Sequence, residues 1–418
     1  MTVSNDASRS EAGNYIWNSI GGILNAGQSV LVLMVISRAL GLEAAGIYSI
    51  AFATANLFLY FGNYGVRNFQ VSDLQEEYSA FTYIKHRLFT TLLMLVFSLV
   101  YCVIEYFAAG YPLSKTAVVF SMCVLKSEDT LEEVFEGRLH QRGRLDLAGK
   151  LMTLRLIVSI GGMLAALYLT RDLLVSTVIA CALAYACAGA CLLYLKNELA
   201  LLPAGKTGAG TVAGLMKECF PVCAANFLSF YLINAPKYAI DAVMDETSQA
   251  MYGFIAMPVF VIQLLNMFLY QPILGKLTIY WNTKNARLYL TGAGQVLAGL
   301  FITAAACLSG AWLLGIPVLS ALYATDLSSL KKELLLLLVG GTFLALCGFL
   351  NALLTIARKQ NLIPPVYFAG AICSVLLTRA LTGMYGIRGA VISFVITEAA
   401  VSLVLLLLTQ AELRKHFE

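Results

Sequence analysis

The stretch Leu88–Ala108, LFTTLLMLVFSLVYCVIEYFA, carries a single charge, Glu105, and is long enough to cross a bilayer as one helix. A spanning helix needs about 20 mostly apolar residues. In hydrocarbon every backbone N–H and C=O must be satisfied within the segment, or in a closed barrel. This run is continuous and does not alternate with a period of two, so it reads as a helix and not as a barrel strand. Working outward, similar stretches fill the chain: Asn14–Ile36, Ala44–Gly65, Thr116–Phe135, Lys150–Leu169 and Leu173–Leu195. A second set lies near Leu215–Ala239, Gln249–Ile273, Tyr289–Leu314, Leu334–Ile356, Pro364–Leu381 and Gly389–Leu408.

The composition agrees. Hydrophobic residues make up 59% of the chain and charged residues 12%, with mean hydropathy +0.78, against about 25% charged in a soluble domain. There is no room for a folded aqueous domain. The expected fold class is an all-α polytopic membrane protein of about 12 spans. The first span follows a short polar tail, Met1–Gly13. It is too long for a signal-peptide core and lacks a small-x-small cleavage site, so it reads as a retained helix.

Lysines and arginines in the short loops set the orientation. With the N-terminus inside, the inner set is Arg9, Arg67, Lys85, Arg87, Arg138, Arg142, Arg144, Lys150, Lys196, Lys206, Lys217, Lys276, Lys284, Arg287, Arg358, Lys359, Arg414 and Lys415. The outer set is Arg38, Lys115, Arg171, Lys331, Lys332, Arg379 and Arg388. That is 18 against 7, so both termini are expected on the cytoplasmic side of the cell membrane. The net charge of +4 is spread over these loops and does not point to nucleic acid. Most of the ten cysteines sit in apolar spans. Cys187/Cys191 and Cys219/Cys223 share helix faces but have no further ligands nearby, so they read as small packing residues. The three histidines, His86, His140 and His416, form no metal pattern.

The longest interruption, Lys196–Leu215, follows the sixth span and is rich in Gly, Ala and Thr from Pro203 to Gly214. It reads as a linker between two halves. The expected organisation is a cytoplasmic tail (1–13), a six-helix bundle (14–196), a cytoplasmic linker (197–214), a second six-helix bundle (215–409) and a cytoplasmic tail (410–418). A weak repeat supports duplication: Ile36 to Tyr48 and Ile240 to Tyr252 have the same length at the same place in each half. An even number of spans per half relates the bundles by a pseudo-two-fold axis along the membrane normal.

The fourth span is unlike the others. Lys126, Asp129, Glu133, Glu136 and His140 are spaced 3, 4, 3, 4 and fall on one helix face, with Glu128 and Glu132 on an adjoining one. Charges at membrane depth are costly and face a bundle interior or a watery cavity. Lys126 and Asp129 are expected at such a cavity, or paired with each other. From Glu132 onward the helix is expected to leave the membrane, which would place Glu136 and His140 in the cytoplasm. In the segment Asn234-Ala-Pro-Lys-Tyr-Ala-Ile-Asp241, Pro236 removes a backbone donor and can kink the helix beside Lys237. Lys237 could hold a phosphate, snorkel to the outer interface or pair with Asp241. Arg suits phosphate because its planar fork donates two bonds at once. Arg38 and Arg67 lie at span ends, where interface anchoring is the commoner role. Arg155 lies about one turn inside the fifth span, and Glu398 is an acid within the last span with no obvious partner. Pro258, Pro272, Pro317 and Pro364-Pro365 are hinge candidates, though prolines at helix ends are usually first-turn markers.

No GxxxxGK[ST] phosphate loop is present, which argues against direct ATP drive within this chain. The outer loops are too short for the acid/base residues of a glycosyltransferase, ligase or polymerase, so no enzyme is expected.

The segments Asn14-Tyr-Ile-Trp-Asn18, Ile36-Ser-Arg-Ala-Leu-Gly41 and Ala45-Gly-Ile-Tyr-Ser-Ile-Ala51 resemble the opening of bacterial polysaccharide (O-antigen type) flippases. These belong to the multidrug/oligosaccharidyl-lipid/polysaccharide exporter superfamily. Tyr64-Gly-Val-Arg67 and Gly137-Arg-Leu-His-Gln-Arg-Gly-Arg-Leu-Asp146 add to the likeness, and Asn234–Ile240 is similar to the family's Asn-x-x-Arg-x-x-Ile pattern. The resemblance implies two six-helix bundles around a cationic cavity that carries an undecaprenyl-diphosphate-linked oligosaccharide from the inner to the outer leaflet. By position Lys237 stands where the family usually has Arg, which keeps the charge and loses the bidentate geometry. Arg38 and Arg67 carry over by motif match, whereas Lys126 and Arg155 enter the substrate-binding set on burial alone. The expected mechanism is alternating access without a cofactor or metal, driven by a proton or sodium gradient with Asp129, Glu133 or Glu398 as coupling acids. Membrane lipids, a polysaccharide polymerase and glycosyltransferases are the expected partners. The rival readings are a drug or cation exporter of the same superfamily, a membrane enzyme of polymer assembly, and a scaffold.

Overall fold

The computed structural model describes residues 2–73, 77–199 and 210–417, with side chains from residue 16 onward. Among these residues the chain is helical, without strands. It divides into two compact units, Met1–Phe227 and Leu228–Glu418.

The first unit contains α1 (Thr2–Ala39), α2 (Leu42–Asn63), α3 (Val66–Ser72), α4 (Ala80–Ala108), α5 (Leu113–Gln141), α6 (Leu145–Thr170), α7 (Leu173–Tyr194), α8 (Lys196–Leu199) and the start of α9 (Val212–Val243). Residues 2–13, expected as a tail, continue the first helix. The expected linker falls largely on residues outside those described. The second unit begins within α9 and continues with α10 (Glu246–Asn282), α11 (Ala286–Gly310), α12 (Ile316–Tyr323), α13 (Lys331–Ile356), α14 (Ile363–Tyr385) and α15 (Ile387–Phe417). Pro364 and Pro365 occupy the first turn of α14, where a missing N–H costs nothing. Pro258 and Pro272 lie inside α10, and α9 stays helical through Pro236.

Eleven spans are long and apolar enough to cross a membrane among the described residues. The helix α5 is the long one they omit, because its second half is charged. Adding it gives six long helices before the interruption and six after it. The exposed faces are apolar: on α4 alone, Leu88, Leu92, Val96, Leu99, Val103 and Phe107 all lie open. Such a surface would drive aggregation in water and is at home in lipid. The chain is a multi-pass membrane protein.

In each unit the fourth long helix is the hub. In the first, α5 packs against α2, α3, α4, α6 and α7; in the second, α13 packs against α10, α11 and α15. The helical hairpins also correspond. The break from Ala39 to Leu42 is matched by that from Val243 to Glu246, and Ile36, Tyr48, Ile240 and Tyr252 are all buried. Helices in lipid gain little from the hydrophobic effect, so close approach through small residues carries the packing. Gly149 of α6 shows this: a Cβ there would lie 2.6 Å from the backbone N of Asn18 on α1.

Candidate functional site

Charged residues survive on α5 because the helix is enclosed. Glu128, Glu132 and Glu136 are 1, 2 and 5% exposed, and Lys126 is 3% exposed. The helix continues unbroken to Gln141. The expected early end of this helix is therefore corrected: it runs on past Glu132 and Glu136, and both are buried among its neighbours. Neighbouring helices bury Glu132 and Glu136 and leave Glu133 and Phe135 half-buried.

The neighbouring helices supply cations. Arg155 of α6 lies 3.0 Å from Glu128 Oε2 and 2.5 Å from Asp129 Oδ1, and its Nε also contacts Glu132 Oε2. On α5 itself, Lys126 Nζ is 2.7 Å from Asp129 Oδ2 and donates to Gln28 Oε1 on α1 at 3.2 Å. Arg87 of α4 is 1% exposed, with Nη2 at 2.7 Å from Glu133 Oε2 and Nη1 donating to the Gly62 carbonyl of α2. Arg67 of α3 reaches Glu136 at 2.8 Å. The Tyr64-Gly-Val-Arg67 motif has a local reason. Tyr64 and Gly65 both take left-handed backbone angles (φ 52° and 68°), which end α2 and restart the chain as α3 with Arg67 beside α5.

The sequence-expected residues therefore divide into three groups. Lys126, Arg155 and Arg67 join Asp129, Glu133 and Glu136 in one ion-pair ladder. Arg38 ends α1 and is exposed. Lys237 and Glu398 lie in the second unit. Arg87, assigned from the sequence to an inner loop, is a buried member of the ladder. The signal that could have found it is the Ser79 N-cap, whose side chain accepts from Thr82 N and places Arg87 two turns inside the helix.

In the second unit Lys237 is 5% exposed and, among the described residues, has no ion pair or hydrogen bond. Glu398 of α15 is 1% exposed and has no cation partner among the described residues; Cys347 Sγ donates to its Oε2 at 4.0 Å. Nearby, Asn351 Nδ2 donates to the Tyr367 hydroxyl at 2.8 Å. No group of His, Cys, Asp and Glu suited to a metal occurs among the described residues.

Comparisons with known proteins agree with this architecture. The inward closed conformation of the lipid II flippase MurJ is similar, with TM-score 0.71, 13% identity, 96% of this chain and 90% of that chain. An inward-facing multidrug resistance MATE family transporter of the MOP superfamily gives TM-score 0.65, 14% identity, and 94% and 95% coverage. A MOP superfamily transporter from Pyrococcus furiosus, described as having a binding pocket of reversed polarity, gives 0.60, 15%, 98% and 96%. These likenesses show the fold alone; the neighbours are transporters and flippases. No curated protein matches the chain. The family model described as polysaccharide biosynthesis protein matches residues 12–277. The chain belongs to the polysaccharide biosynthesis protein family.

Proposed function

We propose that this protein translocates an undecaprenyl-diphosphate-linked oligosaccharide across the cytoplasmic membrane by alternating access, for cell-surface polysaccharide synthesis. The observation that carries the reading is Lys237, a buried ammonium with no carboxylate beside it among the described residues. Burying an unpaired charge is expensive. A visiting diphosphate offsets that cost, whereas a resident carboxylate would compete for the cation. Lys126, Arg155, Arg87 and Arg67 are already committed to carboxylates, and Arg38 is exposed, so of the expected set Lys237 is the buried cation available to substrate. The lipid tail stays in the bilayer while the charged head crosses a shielded path. Family membership and the likeness to a lipid II flippase support this substrate class. Glu398, buried without a cation among the described residues, is the candidate acid for coupling to a proton or sodium gradient. Both termini are assigned to the cytoplasm. Glycosyltransferases and a polymerase would act before and after this step.

The test is transfer of a fluorescent undecaprenyl-diphosphate oligosaccharide in proteoliposomes. Wild type should accelerate flipping, Lys237→Ala should be slow, and Lys237→Arg should recover. Wild type equal to empty liposomes across several glycans would overturn the reading. A second reading, export of an organic cation, draws on the excess of carboxylates over cations on and around α5. Resistance to toxic cations on overexpression would favour it.

A further inference from the structure

Five carboxylates of α5 meet four cations, so one negative charge is in surplus. Lys126 takes Asp129, Arg87 takes Glu133 and Arg67 takes Glu136. Glu128 and Glu132, four residues apart on one face, both converge on Arg155 Nε. That nitrogen carries one hydrogen, and Arg155 Nη1 is already beside Asp129. Glu128 Oε1 and Glu132 Oε1 are buried and take no hydrogen bond from the described residues. Both side chains line a cavity of about 230 Å³ among α4, α5 and α7, walled by Ile84, Leu131, Phe135 and Leu192. Arg87 lines the same cavity, and its buried Nε has no acceptor among the described residues. One cavity thus collects an unused donor, two unused acceptors and the surplus negative charge.

We propose that Glu128 and Glu132 hold one exchangeable proton between them, making this cavity a proton-binding site within the first unit. Asp129, Glu128 and Glu132 share only Lys126 and Arg155 in a low-dielectric bundle, which leaves one carboxylate without a cation, and the proton it takes belongs to the glutamate pair. The surrounding groups leave the proton here. On α5 itself Lys126, Asp129, Glu133 and Glu136 are mutually committed or held by neighbours. From α6 comes Arg155; from α4, Arg87 and the buried His86; from α3, Arg67; and from α2, Tyr60 beside Glu133. The helix α7 brings Tyr185, whose hydroxyl is 2.7 Å from Ser127 Oγ, with Cys187 and Cys191. On α8, Lys196 and Glu198 are exposed, and Glu198 pairs with Arg144. As a coupling site the cavity rests on the transport proposed above; as a proton site it stands without it.

The experiment is infrared spectroscopy of the full chain in lipid nanodiscs, in the Glu398→Gln/Glu333→Gln background so that two other buried acids without an ion pair among the described residues are silent. The expected result is a protonated-carboxyl C=O band near neutral pH that shifts in D₂O. It should be lost in Glu128→Gln and equally in Glu132→Gln, because either change leaves two carboxylates, Asp129 and the remaining glutamate, to the two cations Lys126 and Arg155. A band that persists in both variants overturns the proposal. So does a band displaced by sodium at constant pH, which would make the ligand a metal cation. If the variants do not fold, the parent protein decides alone: no titrating band overturns the site. A band that behaves as expected in a protein that flips no lipid-linked glycan keeps the site and removes the flippase reading.

Discussion

Replacing Arg87 by Met keeps the length of the side chain and removes its charge, so the energetic cost can be worked from the bonds that the guanidinium makes. The guanidinium is 1% exposed, sits 2.7 Å from Glu133 and donates to the Gly62 carbonyl at 3.1 Å. Gly62 keeps a second donor, Thr90 Oγ1 at 2.8 Å, so its carbonyl remains satisfied. The dominant penalty is the carboxylate left behind. Breaking a buried pair from one side costs about 3–5 kcal/mol in soluble proteins. Interhelical polar contacts in membranes measure less, with a maximum of about 1.7 kcal/mol. The Glu133 side chain is 17% exposed, so it is partly relieved, and the expected loss for Arg87→Met is about 2–3 kcal/mol. The double variant Arg87→Met/Glu133→Leu removes both charges and should return to within about 1 kcal/mol of wild type. The assay is a double-mutant cycle by reversible unfolding in mixed detergent micelles. A coupling energy below about 0.5 kcal/mol would refute the claim that this pair is a structural element of the bundle.

In the flipping assay, Lys237→Ala should reduce the rate roughly 10- to 100-fold, the equivalent of one lost charge-assisted contact. Lys237→Arg should restore most of it, and an unchanged Lys237→Ala would remove Lys237 from the substrate path. Gly149→Ala should destabilise by about 1–3 kcal/mol in the same unfolding assay, because the added methyl meets the α1 backbone; neutrality would mean that α1 and α6 can separate freely. Asp245 caps α10 by accepting from Ser248 N at 2.9 Å, and Asp245→Ala should cost about 1 kcal/mol. Hydrogen bonds from Ser248 hold the Asp245 carboxyl below its usual range. The cap's contribution should therefore be full above pH ~4 and fade as acid protonates the group; a thermal-stability difference between wild type and variant that is flat down to strongly acidic pH would contradict this.

The spans were legible because length and apolarity alone decide whether a segment can cross lipid. The charged face of α5 could also be read from the 3-and-4 spacing at Lys126, Asp129, Glu133 and Glu136. Its depth could not. Glu132 and Glu136 look exposed in a linear reading, since nothing local shows that packing against other helices buries them. Arg87 was hidden for the opposite reason. The apolar run begins at Leu88, whereas the helix begins at Ala80, so a composition window leaves its buried arginine in the loop.

Membrane residence and helix number followed from the sequence, because each is a property of one segment against a uniform solvent. Which cation answers which carboxylate was decided only by the tertiary structure. Arg67, Arg87 and Arg155 come from three different helices to one face of a fourth. An ion pair depends on distances of a few ångströms between segments far apart in the chain. The same packing left Lys237 without a carboxylate among the described residues and put two glutamates on one arginine, and only that arithmetic of partners separates the charges that hold the bundle from those free to act.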